Sequence, residues 1–332
     1  MRGIFPRCCS RRRREPRWWS TRESGRKDPS SIRRSPGEES NLLISTNTIV
    51  QSLLSGVLEG GNYALYCLGL AFVFGIMRII NMAHGEFVVL GGYVAYWLLV
   101  MWGVNPLLSL PLAAAIAGGT ALVVYRVFLQ RIRTTAELNT LILTFGIGIF
   151  LANLFLQFWS ADLRSIDVDW AQRPLSLGGI YISLGEIAAF VLSLLCVLGL
   201  HAFLLKTKTG KAIRVTAIDR DAAALSGIDV ERVDLLAFCI GGLLAGLAGP
   251  LLGMLSHLNP GIGIGVTIKA FILTVLAGIG SIPGLIAAGM ILGVGEAMTV
   301  TFINSSYREL FGFGLFLVIL LIRPSGLFGR RV

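Results

Sequence analysis

From Leu235 to Ile268 the chain carries no Asp, Glu, Lys or Arg, and His257 is the one ionisable side chain in the stretch. A helix needs about 20 apolar residues to cross the hydrocarbon core of a bilayer. This stretch exceeds that length, and Asn259-Pro260 is the punctuation that ends its first crossing. The pattern recurs along the chain. Ile49–Met77 carries only Glu59, while Phe87–Gly103, Val104–Tyr125, Leu138–Ala161, Ile187–Leu205 and Leu310–Ile322 carry no formal charge. Ala270–Gly295 is uncharged too, but broken at Ser281-Ile282-Pro283-Gly284. These runs predict an all-α integral membrane protein with eight or nine transmembrane helices, the count turning on the two sides of Pro283.

Composition excludes the soluble classes. Only 14% of the residues are charged and 54% are hydrophobic, against about 25% charged in soluble proteins. The net charge of +10 mostly describes a tail: residues 1–40 hold 12 Lys/Arg and 5 Asp/Glu, which leaves +3 for all the rest. Beyond that tail there is no basic face or stacking platform, so nucleic acid is not a partner. Cysteines 8, 9, 67, 196 and 239 have neither disulfide nor metal-ligand spacing. No metal site or cofactor motif is expected, since His84-Gly85-Glu86 lacks a third ligand. Gly263-Ile264-Gly265 lacks the strand that a nucleotide loop requires, and the chain has no Walker Gly-Lys-Ser/Thr.

Residues 1–47 read as a basic, disordered extension. They are no signal peptide, because the apolar run comes too late, and Arg12-Arg13 is no twin-arginine signal, because Arg14-Glu15-Pro16-Arg17-Trp18-Trp19 follows it. The Lys/Arg-rich connections set the orientation. Lys206, Lys208, Lys211, Arg214, Arg220 and Arg232 fall in one loop, Arg126, Arg131 and Arg133 in another, and Arg323, Arg330 and Arg331 at the C-terminus. With nine spans these three share the cytoplasmic side, and the basic tail then falls outside, against the same rule. Either the count is off by one near Met77–Glu86, or the start is mis-assigned, with translation beginning near Leu42 or Val50; the second is the favoured reading. Residues 48–332 are the transmembrane domain.

Within that domain the loop 206–232 is too long for a tight connection and too apolar for a free linker. Ala212, Ile213, Val215, Thr216 and Ala217, then Ala222, Ala223, Ala224 and Leu225, form helical runs of small residues, with Gly227 as the stop. Such a helix suits a cleft on a partner, or else is a solvated amphipathic connection. Asn81, His84 and Glu86 stand where polarity is costly at a membrane boundary. Either they line a path or Asn81 and His84 cap the start of the second span. Lys269 and Glu296 each interrupt long uncharged runs, so they pair with each other or with Glu59, unless Lys269 snorkels to a headgroup. Gly242 and Gly246, Gly249 and Gly253, and Gly289 and Gly293 are spaced for close helix packing.

Several stretches together resemble the permease subunits of branched-chain amino-acid importers of the ATP-binding-cassette class. Asp221-Ala222-Ala223, with Gly227 four residues on, resembles the Glu-Ala-Ala-xxx-Gly signature by which such subunits dock on their ATPases, with Asp in place of Glu. Gly75-Ile76-Met77-Arg78-Ile79-Ile80-Asn81-Met82-Ala83-His84-Gly85-Glu86 is similar to the family's segment between its first two spans. Asn259–Gly263 and Gly278–Gly284 are similar to its two later loops, and Arg323–Gly329 to its ending. The resemblance covers about Val50 to Val332. It implies broken or re-entrant helix at Asn81–Glu86, substrate-path residues among Asn81, His84, Glu86, Lys269 and Glu296, and a cytoplasmic coupling helix at Asp221, Ala222, Ala223, Ala224 and Gly227.

The family further implies transport of branched-chain amino acids across a bacterial plasma membrane, powered by separate cytoplasmic ATP-binding subunits. A second, related permease and an external substrate-binding protein complete the assembly. Urea or short amides are the alternative cargo. An ion-coupled secondary transporter would call for mid-span acids, and the spans offer Glu59 and Glu296. An intramembrane enzyme would need a constellation that His84, His201 and His257, in separate loops, do not make.

Overall fold

A computed structural model describes residues 46–332 except 133–136, 178, 279, 324 and 330–332. The basic extension 1–47, save its last two residues, lies outside the described residues, as do Arg133, Arg330 and Arg331.

The described chain is helical almost throughout. In order come α1 (Thr46–Met77), α2 (His84–Trp102) and α3 (Pro106–Val124). A π-helical turn at Tyr125–Leu129 carries α3 into the short α4 (Gln130–Ile132), and α5 (Glu137–Trp159) follows. A hairpin of β1 (Pro174–Leu177) and β2 (Ile180–Ser183) pairs Leu175 with Ile182. After it come α6 (Leu184–Lys206), α7 (Lys208–Ile218), α8 (Arg220–Leu225), α9 (Val230–Leu255), α10 (Ile262–Ala277), α11 (Ile282–Phe302) and α12 (Arg308–Ile322).

Polar residues punctuate this order. Asn105 accepts from Leu107 N at the start of α3, with Pro106 in the first turn, where its missing N–H costs nothing. Ser183 caps α6 through Glu186 N, and Ser281 caps α11 through Gly284 N. Pro283 therefore opens a helix and does not break one. Gly103, left-handed at φ 64°, stops α2.

Among the described residues eight helices are long and apolar enough to cross a membrane, the last being α12 together with the 3-10 turn Ser305–Tyr307 that leads into it; α10, apolar but 16 residues long, stands alone as a shorter ninth. At 1.5 Å per residue it spans about 24 Å, less than the roughly 30 Å hydrocarbon core. The charge-free runs misplace this helix. Asn259-Pro260 lies beyond the end of α9, and Lys269, which bounds two uncharged runs in the sequence, sits midway along α10.

Helix α1 packs on α11, α9, α10 and α6, and α9 also packs on α2 and α3. Small residues permit this. A Cβ added at Gly60 of α1 would stand 2.5 Å from the carbonyl oxygen of Gly289 on α11, a distance no side chain tolerates. Gly246 of α9 meets Ala113 and Ala117 of α3 just as closely. The helices touch backbone to backbone.

The stretches singled out in the sequence meet in space. Gly75 lies against Gly280, and the C-terminal segment folds back on the end of α10, where Leu327 N donates to Leu276 O at 2.9 Å. Gly85 abuts Gly263 across the α2–α10 contact.

Candidate functional site

The break between α1 and α2 is built from hydrogen bonds. Arg78 takes a left-handed conformation at φ 55° and ends α1. The irregular backbone that follows is held by side chains. Thr144 of α5 accepts from Met82 N and donates to Ile80 O, and Thr267 of α10 accepts from Gly85 N. Asn81 Oδ1 accepts from Ala83 N, and His84 Nε2 lies 2.8 Å from Tyr66 O. Unwound backbone at membrane depth is tolerable where protein satisfies it, as side chains here do for Ile80 O, Met82 N, Ala83 N and Gly85 N. Asn81, His84 and Glu86 are all buried, and none of them lines the large cavity described below. Nor does either of the first two cap α2 as its N-cap, which is Ala83 without a side-chain bond. Among the described residues Glu86 Oε2 has no hydrogen-bond partner.

A cavity of about 630 Å³ opens between α1, α6, α9, α10 and the start of α12. Its rim includes the exposed Ser256, His257 and Gly261. Its lining is apolar at Leu252, Ile262, Val266 and Leu273 and polar at Glu59, Tyr63, Lys269 and Arg308; Ile262, Val266, Lys269 and Leu273 recur at helical spacing along one face of α10. Glu186 and Glu309 also reach the lining.

The charged part is one network. Glu59 and Tyr63 are four residues apart on α1 and so share a face. Lys269 Nζ stands 3.1 Å from Glu296 Oε1 and 3.2 Å from its Oε2, and also lies 4.5 Å above the Tyr63 ring. Arg308 Nε donates to Glu296 Oε2 at 2.9 Å, and Arg308 Nη2 pairs with Glu59. The Tyr63 hydroxyl receives Arg308 Nη2 at 2.8 Å and Lys269 Nζ at 3.3 Å. Its own proton serves Glu296 Oε2 at 2.6 Å or Glu59 Oε1 at 2.8 Å. Two acids and two bases therefore close on one phenol, and the cluster is neutral. Glu296 is fully buried behind it, whereas Lys269, Arg308 and Glu59 keep 27%, 35% and 36% of their side chains exposed.

Of the expected path residues, the structure joins Lys269 to Glu296, and Lys269 does not snorkel. Tyr63 and Arg308 are the members that sequence reasoning missed. Arg308 stands between Tyr307 and Glu309 in what reads as a polar connection. Its signal is that the apolar run of α12 begins two residues later, at Leu310, which leaves a cation at the end of a span.

The loop 206–232 forms two helices. Thr207 caps α7, and Asp219, not Asp221, caps α8 by accepting from the backbone N–H groups of Asp221 and Ala222. Gly227 follows with φ 81°, the left-handed stop its position required. Ala222 and Ala224 are exposed and Leu225 is 90% exposed. Ala223 is fully buried, so it packs into this chain and is not free to face a partner's cleft. A helix of six residues turns at least one of them inward, and the motif alone does not say which. Arg220 anchors α8 by pairing with Asp234 of α9, which is fully buried, and by donating to Ile76 O at the end of α1 at 3.3 Å.

The family model for the permease component of branched-chain amino acid transport systems matches residues 52–321. The high-affinity branched-chain amino acid transport system permease protein BraD of Pseudomonas aeruginosa is 35% identical over 294 residues, covering 85% of this chain and 96% of BraD. LivH of Escherichia coli K12, which carries the same description, is 34% identical over 295 residues, with the same two coverages. A probable LivH of Methanocaldococcus jannaschii is 28% identical and covers 83% of this chain.

Proposed function

The chain belongs to the branched-chain amino acid transport permease family, and from that membership we infer how its cavity and its surface helices work together. It is a multi-pass membrane permease, the subunit of an ATP-binding-cassette importer through which branched-chain amino acids cross. The observation that carries this reading is the match of the family over nearly all the helical core, residues 52–321.

ATP is hydrolysed on separate cytoplasmic subunits, which dock on α7 and α8 through exposed residues such as Leu225. A related second permease completes the path, and an external substrate-binding protein delivers cargo to the rim at Ser256 and Gly261. The membrane is the bacterial inner membrane. The anchoring of α8 supports this coupling. Arg220 ties it to Asp234 of α9 and to the last turn of α1, the helix that also carries Glu59 and Tyr63. A push on α8 thus reaches the cavity wall through one rigid helix.

The test is reconstitution into liposomes with ATP-binding subunits, a second permease and a binding protein. Leucine, isoleucine and valine should accumulate when ATP is enclosed, and urea and acetamide should not. Accumulation of urea in preference to leucine would overturn the reading.

A further inference from the structure

We propose that the Glu59–Tyr63–Lys269–Arg308 cluster lining the cavity is a subsite for the charged head of a free α-amino acid, with the apolar residues beside it taking its side chain. The proposal rests on the reading of the chain as an amino-acid permease and names the groups that recognise the cargo.

An acid and a base of the cluster flank one phenol on the cavity. Tyr63 Oη stands 2.8 Å from Glu59 Oε1 and 3.3 Å from Lys269 Nζ. The groups also differ in depth. Glu296 is fully buried and holds both cations from behind, while Lys269, Arg308 and Glu59 are partly exposed on the cavity. Arg308 Nη1 makes no hydrogen bond among the described residues. The cluster can therefore open on its cavity side without losing its anchor.

Opening separates Arg308 from Glu59: among the described residues Glu59 then has no cation beside it, and Arg308 keeps Glu296 through Nε but has its Nη2 released from Glu59. An α-carboxylate takes the place of Glu59 beside Arg308 and Lys269, and an α-ammonium takes the place of Arg308 beside Glu59. The exchange is neutral, and every ion pair broken is replaced by another. A lone carboxylate leaves Glu59 without a cation, and a lone amine leaves Arg308 with Glu296 alone, so each analogue forgoes one of the two ion pairs that an amino acid makes. Ile262, Val266 and Leu273 flank Lys269 along the same face of α10, and with Leu252 they line the cavity and offer an aliphatic chain an apolar surface beside the charged groups.

The experiment uses the assembled membrane complex of permeases and ATP-binding subunits without its binding protein, so that the binding protein's own selectivity does not enter. Thermal unfolding is followed with millimolar leucine, 3-methylbutylamine, which lacks the carboxylate, and 4-methylpentanoate, which lacks the ammonium. Leucine should raise the midpoint, as a ligand of the folded state must. Each analogue should need a concentration about ten- to a hundredfold higher for the same rise, the loss expected when a charged hydrogen-bonding group goes unpaired. Glu59→Gln should abolish the preference for leucine over 4-methylpentanoate, and Lys269→Gln its preference over the amine. Should a variant fail to fold, the analogue series on the natural sequence still decides. Equal shifts by all three compounds would overturn the subsite. So would no shift by leucine in a complex that imports leucine once its binding protein is added, and the permease reading would then still stand. A complex that fails to import leucine even with its binding protein would overturn both.

Discussion

Lys269 of α10 and Glu296 of α11 stand 3.1 Å apart, with the carboxylate fully buried and the ammonium 27% exposed. Glu296 also receives Arg308 Nε at 2.9 Å, so one buried acid holds two cations. Removing it should cost more than removing either base. Glu296→Gln leaves both cations short of a partner, and breaking a buried pair this way costs about 3–5 kcal/mol. Lys269→Gln leaves Glu296 with Arg308 and should cost less. Melting of the detergent-solubilised protein should rank natural sequence, Lys269→Gln and Glu296→Gln in falling order. Equal midpoints for the two variants would refute the shared anchor.

The α1–α11 contact tolerates no added volume. Gly60→Val places new atoms against the Gly289 carbonyl and should cost well beyond the about 1–3 kcal/mol typical of overpacking, because backbone cannot step aside as a side chain can. Gly314 on α12 has open space around its would-be Cβ, so Gly314→Ala should be neutral or slightly stabilising. Size-exclusion profiles of the two variants test this, and a monodisperse Gly60→Val protein would contradict it.

The coupling loop separates two kinds of residue. Leu225→Glu changes a side chain that is 90% exposed, and should lower co-purification of ATP-binding subunits while leaving the melting midpoint unchanged. Ala223→Trp forces a large ring into a fully buried position, and should lower the midpoint itself. Gly227→Val should do so too, because φ is 81° there and a β-branched residue resists that conformation. Unchanged ATPase recovery with Leu225→Glu would show that this edge of α8 faces no partner.

Arg220→Ala removes the charge that pairs with buried Asp234 and the donor to Ile76 O. It should reduce uptake per ATP hydrolysed while the ATP-binding subunits stay attached, since the link from α8 to α1 is lost and the exposed docking residues are not. A proportional loss of uptake and hydrolysis would place Arg220 in docking instead.

The spans were legible because the bilayer imposes one length and one composition on them. Gly227 was also legible, since glycine alone takes a left-handed stop without strain, whereas Pro283 reads as a break until Ser281 is seen to cap the helix it opens. Helix α10 was obscured because Lys269 divides two charge-free runs, although its charge is met inside the protein by Glu296. Arg308 was obscured for the related reason that a cation between Tyr307 and Glu309 reads as loop until its partner Glu59, far away in sequence, is placed beside it. Which alanine of Ala222–Ala224 turns inward depends on how α8 is anchored, and Arg220, Asp234 and Ile76 come together only in the folded chain.

Whether cargo passes through the cavity beside Lys269 is tested most directly by thiol access at Gly265. This residue lines the cavity, and a Cβ there meets nothing within 4 Å, so Gly265→Cys should fold normally. In a background with the natural cysteines replaced by serine, a membrane-impermeant thiol reagent should modify Cys at this position and stop leucine uptake by the reconstituted importer. Leucine presented with its binding protein should slow the modification. Complete modification with uptake unchanged would contradict the account.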